Sequence, residues 1–157
     1  MRGLRLPDAR FAGAFRGEPG LEEIHVRVGS YYGVNPSEVA EELKGFEATL
    51  QALVSELDAR LPFGARPSQD LLEAILEVCS WTHSEWLRIH PFVNGNGRTA
   101  RLWANSIAMR YGLPPFLSLR PRPGAGYAAA AAKAMQGDWR FTAVLFRGML
   151  DDSLGQY

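Results

Sequence analysis

Twelve consecutive residues, His90-Pro91-Phe92-Val93-Asn94-Gly95-Asn96-Gly97-Arg98-Thr99-Ala100-Arg101, bring together one imidazole, two glycines and two guanidinium groups. An imidazole with an unperturbed pKa of about 6.5 accepts a proton near neutral pH. Beside a bound nucleotide it can deprotonate a hydroxyl that attacks phosphorus; a lone histidine here would read better as a cap on a helix C-terminus, and the loop that follows is what favours the base. Gly95 and Gly97 let the backbone curl so that successive N–H groups face an anion. Arg98 should open a helix and Arg101 follow one turn on along the same side. Guanidinium forks placed there can grip phosphate oxygens bidentately. Phe92 reads as an apolar anchor for the loop. The combination describes a pyrophosphate cradle with a base beside it.

Two helices must hold that loop. Upstream, Leu72, Ile75, Cys79, Thr82, Trp86 and Ile89 recur at steps of three and four and form one helix face. Downstream, Ala100, Trp103, Ala104, Ile107, Ala108 and Tyr111 repeat the pattern until Gly112 and Pro114-Pro115 end it. The loop therefore feeds a helix N-terminus, where free N–H groups and a partial positive charge favour anions.

Charge is distributed to match. The 17 basic and 17 acidic residues cancel overall, yet no Asp or Glu falls between Trp86 and Gln136. That stretch carries Arg88, Arg98, Arg101, Arg110, Arg120, Arg122 and Lys133. A local positive field around a glycine loop suits a polyanion, although the arginines beyond Arg101 read more simply as solvated surface. A nucleic-acid partner is disfavoured by the balanced charge and the lack of basic residues interleaved with aromatics.

The loop closely resembles the signature of the Fic family, His-x-Phe-x-(Asp/Glu)-Gly-Asn-Gly-Arg-x-x-Arg, with Asn94 where the family carries an acid. The lead-in from His83 to His90, with Trp86 in an aromatic slot, and the later Pro114-Pro115, Tyr127 and Gly137-Asp138 extend the likeness over about residues 11 to 150. The resemblance implies a mainly α-helical bundle with a short β-hairpin flap, and transfer of AMP from ATP to a Ser, Thr or Tyr hydroxyl of a protein. It makes His90 the base, and the Gly95–Gly97 backbone with the Asn96 side chain the holder of the α- and β-phosphates. It assigns Arg98 to the β-phosphate and Arg101 to the γ-phosphate, and gives His83 a supporting role within the bundle. Relatives that move UMP, phosphate or phosphocholine leave the transferred group open.

At position 94 the family acid helps hold Mg²⁺, which usually takes one or two carboxylates plus substrate oxygens at about 2.1 Å. An amide brings no charge, so metal binding is expected to be weakened at Asn94. Three outcomes follow: slower transfer, a carboxylate recruited from Glu85 or elsewhere, or a silent fold that binds nucleotide or a protein partner. The first is the reading adopted.

Elsewhere, 157 residues with 46% apolar content suit one domain. Residues 1–10 read as a disordered or trimmed N-terminus, 11–35 as the flap region and 36–150 as the helical core. Ile24-His25-Val26-Arg27-Val28 alternates apolar and polar before Gly29, as a strand of a hairpin does. Family resemblance makes this segment the flap that pairs with a target's backbone; a hairpin that only covers the core fits equally well. Asn35-Pro36-Ser37-Glu38 has the spacing of a capping box. From Val39 to Leu61 the apolar face is Val39, Leu43, Phe46, Leu50, Leu53, Leu57 and Leu61. The segment 61–67 breaks the chain, Ser68 can cap the next helix, and helices are expected over 127–135 and 141–150. Cys79 is alone, on an apolar face, and should be a buried thiol. No apolar run approaches the roughly 18 to 20 residues of a membrane span, and no signal core is visible. A cytoplasmic protein is expected, with delivery into a host cell as the alternative. The inhibitory pattern of many relatives, (Ser/Thr)-x-x-x-Glu-(Gly/Asn), is absent; Ser37 to Glu42 comes nearest, so a separate protein is one possible inhibitor.

Overall fold

A computed structural model of the chain describes residues 8–11, 13–62, 64–124 and 126–155. Most of the expectation for residues 1–10 therefore lies outside the described residues, as does Phe63 of the breaker loop. The fold is mainly helical: α1 (Val39–Arg60), α2 (Gln69–Ile89), α3 (Asn96–Arg110), α4 (Tyr127–Ala134) and α5 (Arg140–Leu154). A hairpin of β1 (Arg27–Val28) and β2 (Tyr31–Tyr32) precedes them, antiparallel, with Arg27 opposite Tyr32 and Val28 opposite Tyr31. The strand is shorter than the alternation from Ile24 to Val28 suggested. Ile24 to Val26 lie outside the ladder, and only the Val26 carbonyl, accepting from Gly33 N–H at 3.1 Å, continues the pairing.

The helix α2 occupies the centre and packs against α1, α3, α4 and α5. With neighbours on all sides it has little solvent-facing surface over its second half, and its polar side chains must be satisfied inside the protein. Ser80 and Thr82 donate back to Leu76 and Val78 carbonyls at 2.7 and 2.6 Å. Ser84 donates to Thr142 of α5 at 3.0 Å. From α1, the predicted apolar face arrives as read: Val39, Phe46, Leu50, Leu57 and Leu61 are buried, with Leu43 and Leu53 packed partly against the core. Phe46 stacks on Trp81 and meets Trp86 and Trp103 edge-on, with ring centroids 5.4 to 5.8 Å apart. Burying such a ring stabilises the fold by about 3 kcal/mol, and here it sets the α1–α2–α3 spacing beneath the loop.

Local capping follows the sequence at one helix and departs from it at another. Ser68 caps α2, its hydroxyl accepting from Leu71 N–H at 3.4 Å. Asn35 makes no side-chain cap; its carbonyl instead closes a 3₁₀ turn over Pro36–Glu38 that leads into α1. Proline's preset φ favours that tight turn and delays the α-helix to Val39. Among the described residues no helix is long and apolar enough to cross a membrane.

Candidate active site

The loop joins α2 to α3 through two left-handed residues. His90 ends α2 with φ 54° and ψ 54°, and Gly95 precedes α3 with φ 97°. Glycine adopts this region freely, whereas histidine pays roughly 1–2 kcal/mol for it. The helix begins at Asn96, two residues earlier than the reading that had Arg98 open it. Gly97 therefore lies inside the first turn with ordinary φ, and its role is to leave that turn bare of side chain. Arg98 and Thr99 N–H groups both return to the Gly95 carbonyl at 3.0 Å. Among the described residues those of Asn96 and Gly97 have no backbone acceptor, which is the free pair an anion needs.

Asn96 requires a correction. Its side chain was expected on phosphate, but it is buried and committed to Phe92: Oδ1 accepts from the Phe92 N–H at 2.9 Å and Nδ2 donates to the Phe92 carbonyl at 2.7 Å. That reciprocal pair folds the loop, so what Asn96 offers outward is its N–H. Trp86 supports the loop from α2, its Nε1–H donating to Thr99 Oγ1 at 2.8 Å. Phe92 packs against Phe15 and Trp86, in keeping with an apolar anchor.

His90 is mostly shielded from solvent, and Nδ1 lies 3.0 Å from the Leu87 carbonyl. A carbonyl only accepts, so Nδ1 carries the proton and Nε2 is the basic nitrogen. Burial lowers the His90 pKa from its ordinary value; the Leu87 bond opposes this and the Arg16 charge adds to it. The ring is neutral at pH 7, in the tautomer a general base requires.

Arg98 is exposed and borders an open depression of about 510 Å³ with Thr99, Leu102, Leu119 and Arg120. A larger recess of about 640 Å³ lies at the other end of α3, around Asp58 and Tyr111, and contains none of the loop residues. Arg101 is buried at 4% exposure; Nη1 donates to the Tyr127 hydroxyl at 3.1 Å and Nη2 to the Leu119 carbonyl at 3.0 Å. Its Nε is buried without a partner among the described residues. A Cβ added to Gly97 would lie 3.5 Å from Arg101 Nη1, so the guanidinium sits directly against the first turn of α3. His83 completes the group, with Nε2 2.7 Å from the Tyr127 hydroxyl. Burial, helped by the Arg101 charge, pushes the His83 pKa down to about 3, as befits a neutral structural histidine.

The basic stretch is less uniform than its sequence suggested. Arg88 is neutralised by Glu85 and Glu42, and Arg110 by Asp58. Arg98, Arg101, Arg120 and Arg122 have no acidic partner among the described residues. Glu85 cannot serve as the recruited carboxylate, because Arg88 holds it at 2.9 and 2.6 Å. Asn94 is exposed, and no cluster of three or more His, Cys, Asp or Glu exists among the described residues. The donor set at the loop does not fit a Mg²⁺ ion held by protein carboxylates. Ile24, His25, Val26, Arg27 and Val28 lie at or beside the hairpin, with His25, Arg27 and Val28 exposed.

Residues 7–108 match the model of the Fic/DOC family. The chain belongs to that family. This Fic chain is 35% identical to protein adenylyltransferase fic-1 of Caenorhabditis elegans over 120 residues, 76% of this chain and 20% of that protein. It is 50% identical to protein adenylyltransferase Fic of Nematostella vectensis over 42 residues, 27% of this chain and 10% of the relative. A third relative, protein adenylyltransferase Fic of Drosophila virilis, is 54% identical over 35 residues, 22% of this chain and 7% of its own. The Fic chain thus spans a fifth or less of these relatives. Sequence reading missed Arg16, whose guanidinium reaches the His90 turn from 74 residues away; no local pattern marks such a contact.

Proposed function

We propose that this Fic chain transfers AMP from ATP to a protein hydroxyl, releasing pyrophosphate. The observation that carries the reading is His90: a neutral imidazole with Nδ1 occupied by Leu87, next to a helix N-terminus whose Asn96 and Gly97 N–H groups are free. A target Ser, Thr or Tyr oxygen attacks the α-phosphorus while His90 Nε2 takes its proton. The new P–O bond replaces the bond from the α-phosphorus to the bridging oxygen, and the electron pair leaves with pyrophosphate. The loop N–H groups and the Arg98 guanidinium stabilise charge on the departing phosphates, and Arg101 presents its positive field from beneath Gly97. The hairpin is suited to receive a target segment by strand addition, which would present the hydroxyl with little demand on its sequence.

Relatives of this kind imply ATP as substrate and usually a divalent metal. Since Asn94 supplies no charge and Glu85 is spent on Arg88, the steps above are assigned to this chain's own residues. Slow transfer is the consequence proposed. A second reading, nucleotide binding without transfer, is favoured by Arg101, which already has partners in Tyr127 and Leu119.

Parallel incubations with α-³²P- and γ-³²P-labelled ATP separate the two. Label from the α-position alone, lost in His90→Ala with nucleotide binding retained, supports AMP transfer. Label from the γ-position would mean phosphate transfer, and nucleotide affinity without either label would favour the binding-only reading.

A further inference from the structure

We infer that Arg16 is the positioning residue for His90: its buried guanidinium locks the left-handed turn that presents the imidazole and ties that turn to both ends of the hairpin. The inference rests on the reading of His90 as the base.

Arg16 is 1% exposed, yet no carboxylate meets it among the described residues. Its charge is met by carbonyl oxygens instead. Nε donates to His90 O at 2.7 Å, and Nη2 to Ile89 O at 2.9 Å and Val34 O at 2.8 Å. Nη1 donates to Ile24 O at 3.3 Å, and the Arg16 backbone N–H to Pro91 O at 2.8 Å. Ile89 and His90 carry carbonyls that the end of α2 leaves without helical partners, at the negative pole of the helix. A guanidinium fork is matched to this place: it caps two successive carbonyls and favours the chain direction that only the left-handed turn allows.

The same side chain reaches the flap. Ile24 precedes β1 and Val34 follows β2, so Arg16 clasps both feet of the hairpin. Gly33 closes the contact from the other side. A Cβ there would lie 2.7 Å from His90 Cβ and 3.0 Å from Arg16 Nη2. Hairpin base, Arg16 and His90 therefore form one packed unit, and the flap cannot shift its base without disturbing the imidazole.

The test compares the full chain with Arg16→Lys and Arg16→Gln, after circular dichroism and melting curves show that each is folded. Lysine keeps the charge but not the fork, and glutamine keeps neither. Histidine rings labelled with ¹³C report on geometry without reference to activity, and His90→Gln assigns the His90 signal among three histidines. In both variants the His90 ring signal is expected to move or broaden while that of His83 stays. The transfer rate at saturating ATP should fall about 10²-fold, the scale of a reacting group displaced by about 1 Å. The KM for ATP should change by less than about threefold, because ground-state binding is untouched. An unmoved His90 signal with an unchanged rate in either folded variant overturns the inference. So does full rescue by lysine, since a point charge would then suffice. Should both variants unfold, Gly33→Ala presses on His90 from the hairpin side, and an unmoved His90 signal there overturns it equally. If the parent chain transfers no label, the AMP-transfer reading fails, whereas the ring signals still decide whether Arg16 positions His90.

Discussion

The Arg101 guanidinium rests on Tyr127 from a helix 26 residues away, its Nη1 3.1 Å from the phenol oxygen and its carbon 5.4 Å from the ring centroid. Arginine only donates, so the tyrosine oxygen accepts from Arg101 and its O–H donates a hydrogen bond to His83 Nε2. One hydroxyl thus seats the second arginine of the loop and meets Nε2 of a buried histidine of α2, whose Nδ1 has no partner among the described residues.

Tyr127→Phe removes that hydroxyl and strands two buried groups. The expected cost is about 1–3 kcal/mol, or a melting temperature lower by roughly 3–9 °C. Nucleotide affinity should fall with it, because Arg101 then keeps only one hydrogen bond, to the Leu119 carbonyl, and the ring beneath it. A melting curve and affinity equal to the parent's would show that the bond carries no net energy.

His90 titrates below its ordinary value of 6.5, chiefly through burial. Only the neutral ring accepts a proton, so activity is present above the folded pKa and is lost as pH falls through it. The transfer rate should be steady above neutral pH and drop about tenfold per unit beneath a midpoint that lies below 6.5. An acid limb centred at or above pH 6.5 would contradict the buried environment.

His83 acts on stability instead. Its pKa is pushed down to about 3 by burial, so between its unfolded value of 6.5 and that point the unfolded chain binds a proton that the native state refuses. The stability that His83 contributes is complete above pH 6.5 and is lost as pH falls, by roughly 3 kcal/mol near pH 4. Urea unfolding of the parent and His83→Gln across this range should show a shallower acid loss in the variant. Parallel curves would remove His83 as the cause.

Asn94→Asp restores a carboxylate beside the cradle. If the amide is what limits metal binding, the Mg²⁺-dependent rate should rise on the order of tenfold, equivalent to about 1.4 kcal/mol. A rate and metal response identical to the parent's would separate position 94 from the metal altogether.

Much of the scaffold was legible because it rests on short-range rules. The step of three and four from Val39 to Leu61 marked the buried face of α1, since a helix returns to the same side every 3.6 residues. Ser68 capped α2 as read, because a hydroxyl reaches the N–H three residues on. The likeness at 90–101 named the family for the same reason, as its residues are contiguous. Where a local cue had a competitor it misled: Asn35 lost its cap to a proline-led 3₁₀ turn, and Asn96 spent its amide on Phe92.

By itself the sequence determined the helical faces, the order of elements and a loop chemistry of base, glycine turn and arginines. Only the tertiary structure decided what those groups can do. It turned His90 left-handed under Arg16, seated Arg101 on Tyr127 and brought Glu42 of α1 onto Arg88. Burial and hydrogen bonding to residues 26 to 74 positions away set these outcomes, and a linear pattern carries no record of which distant group will arrive.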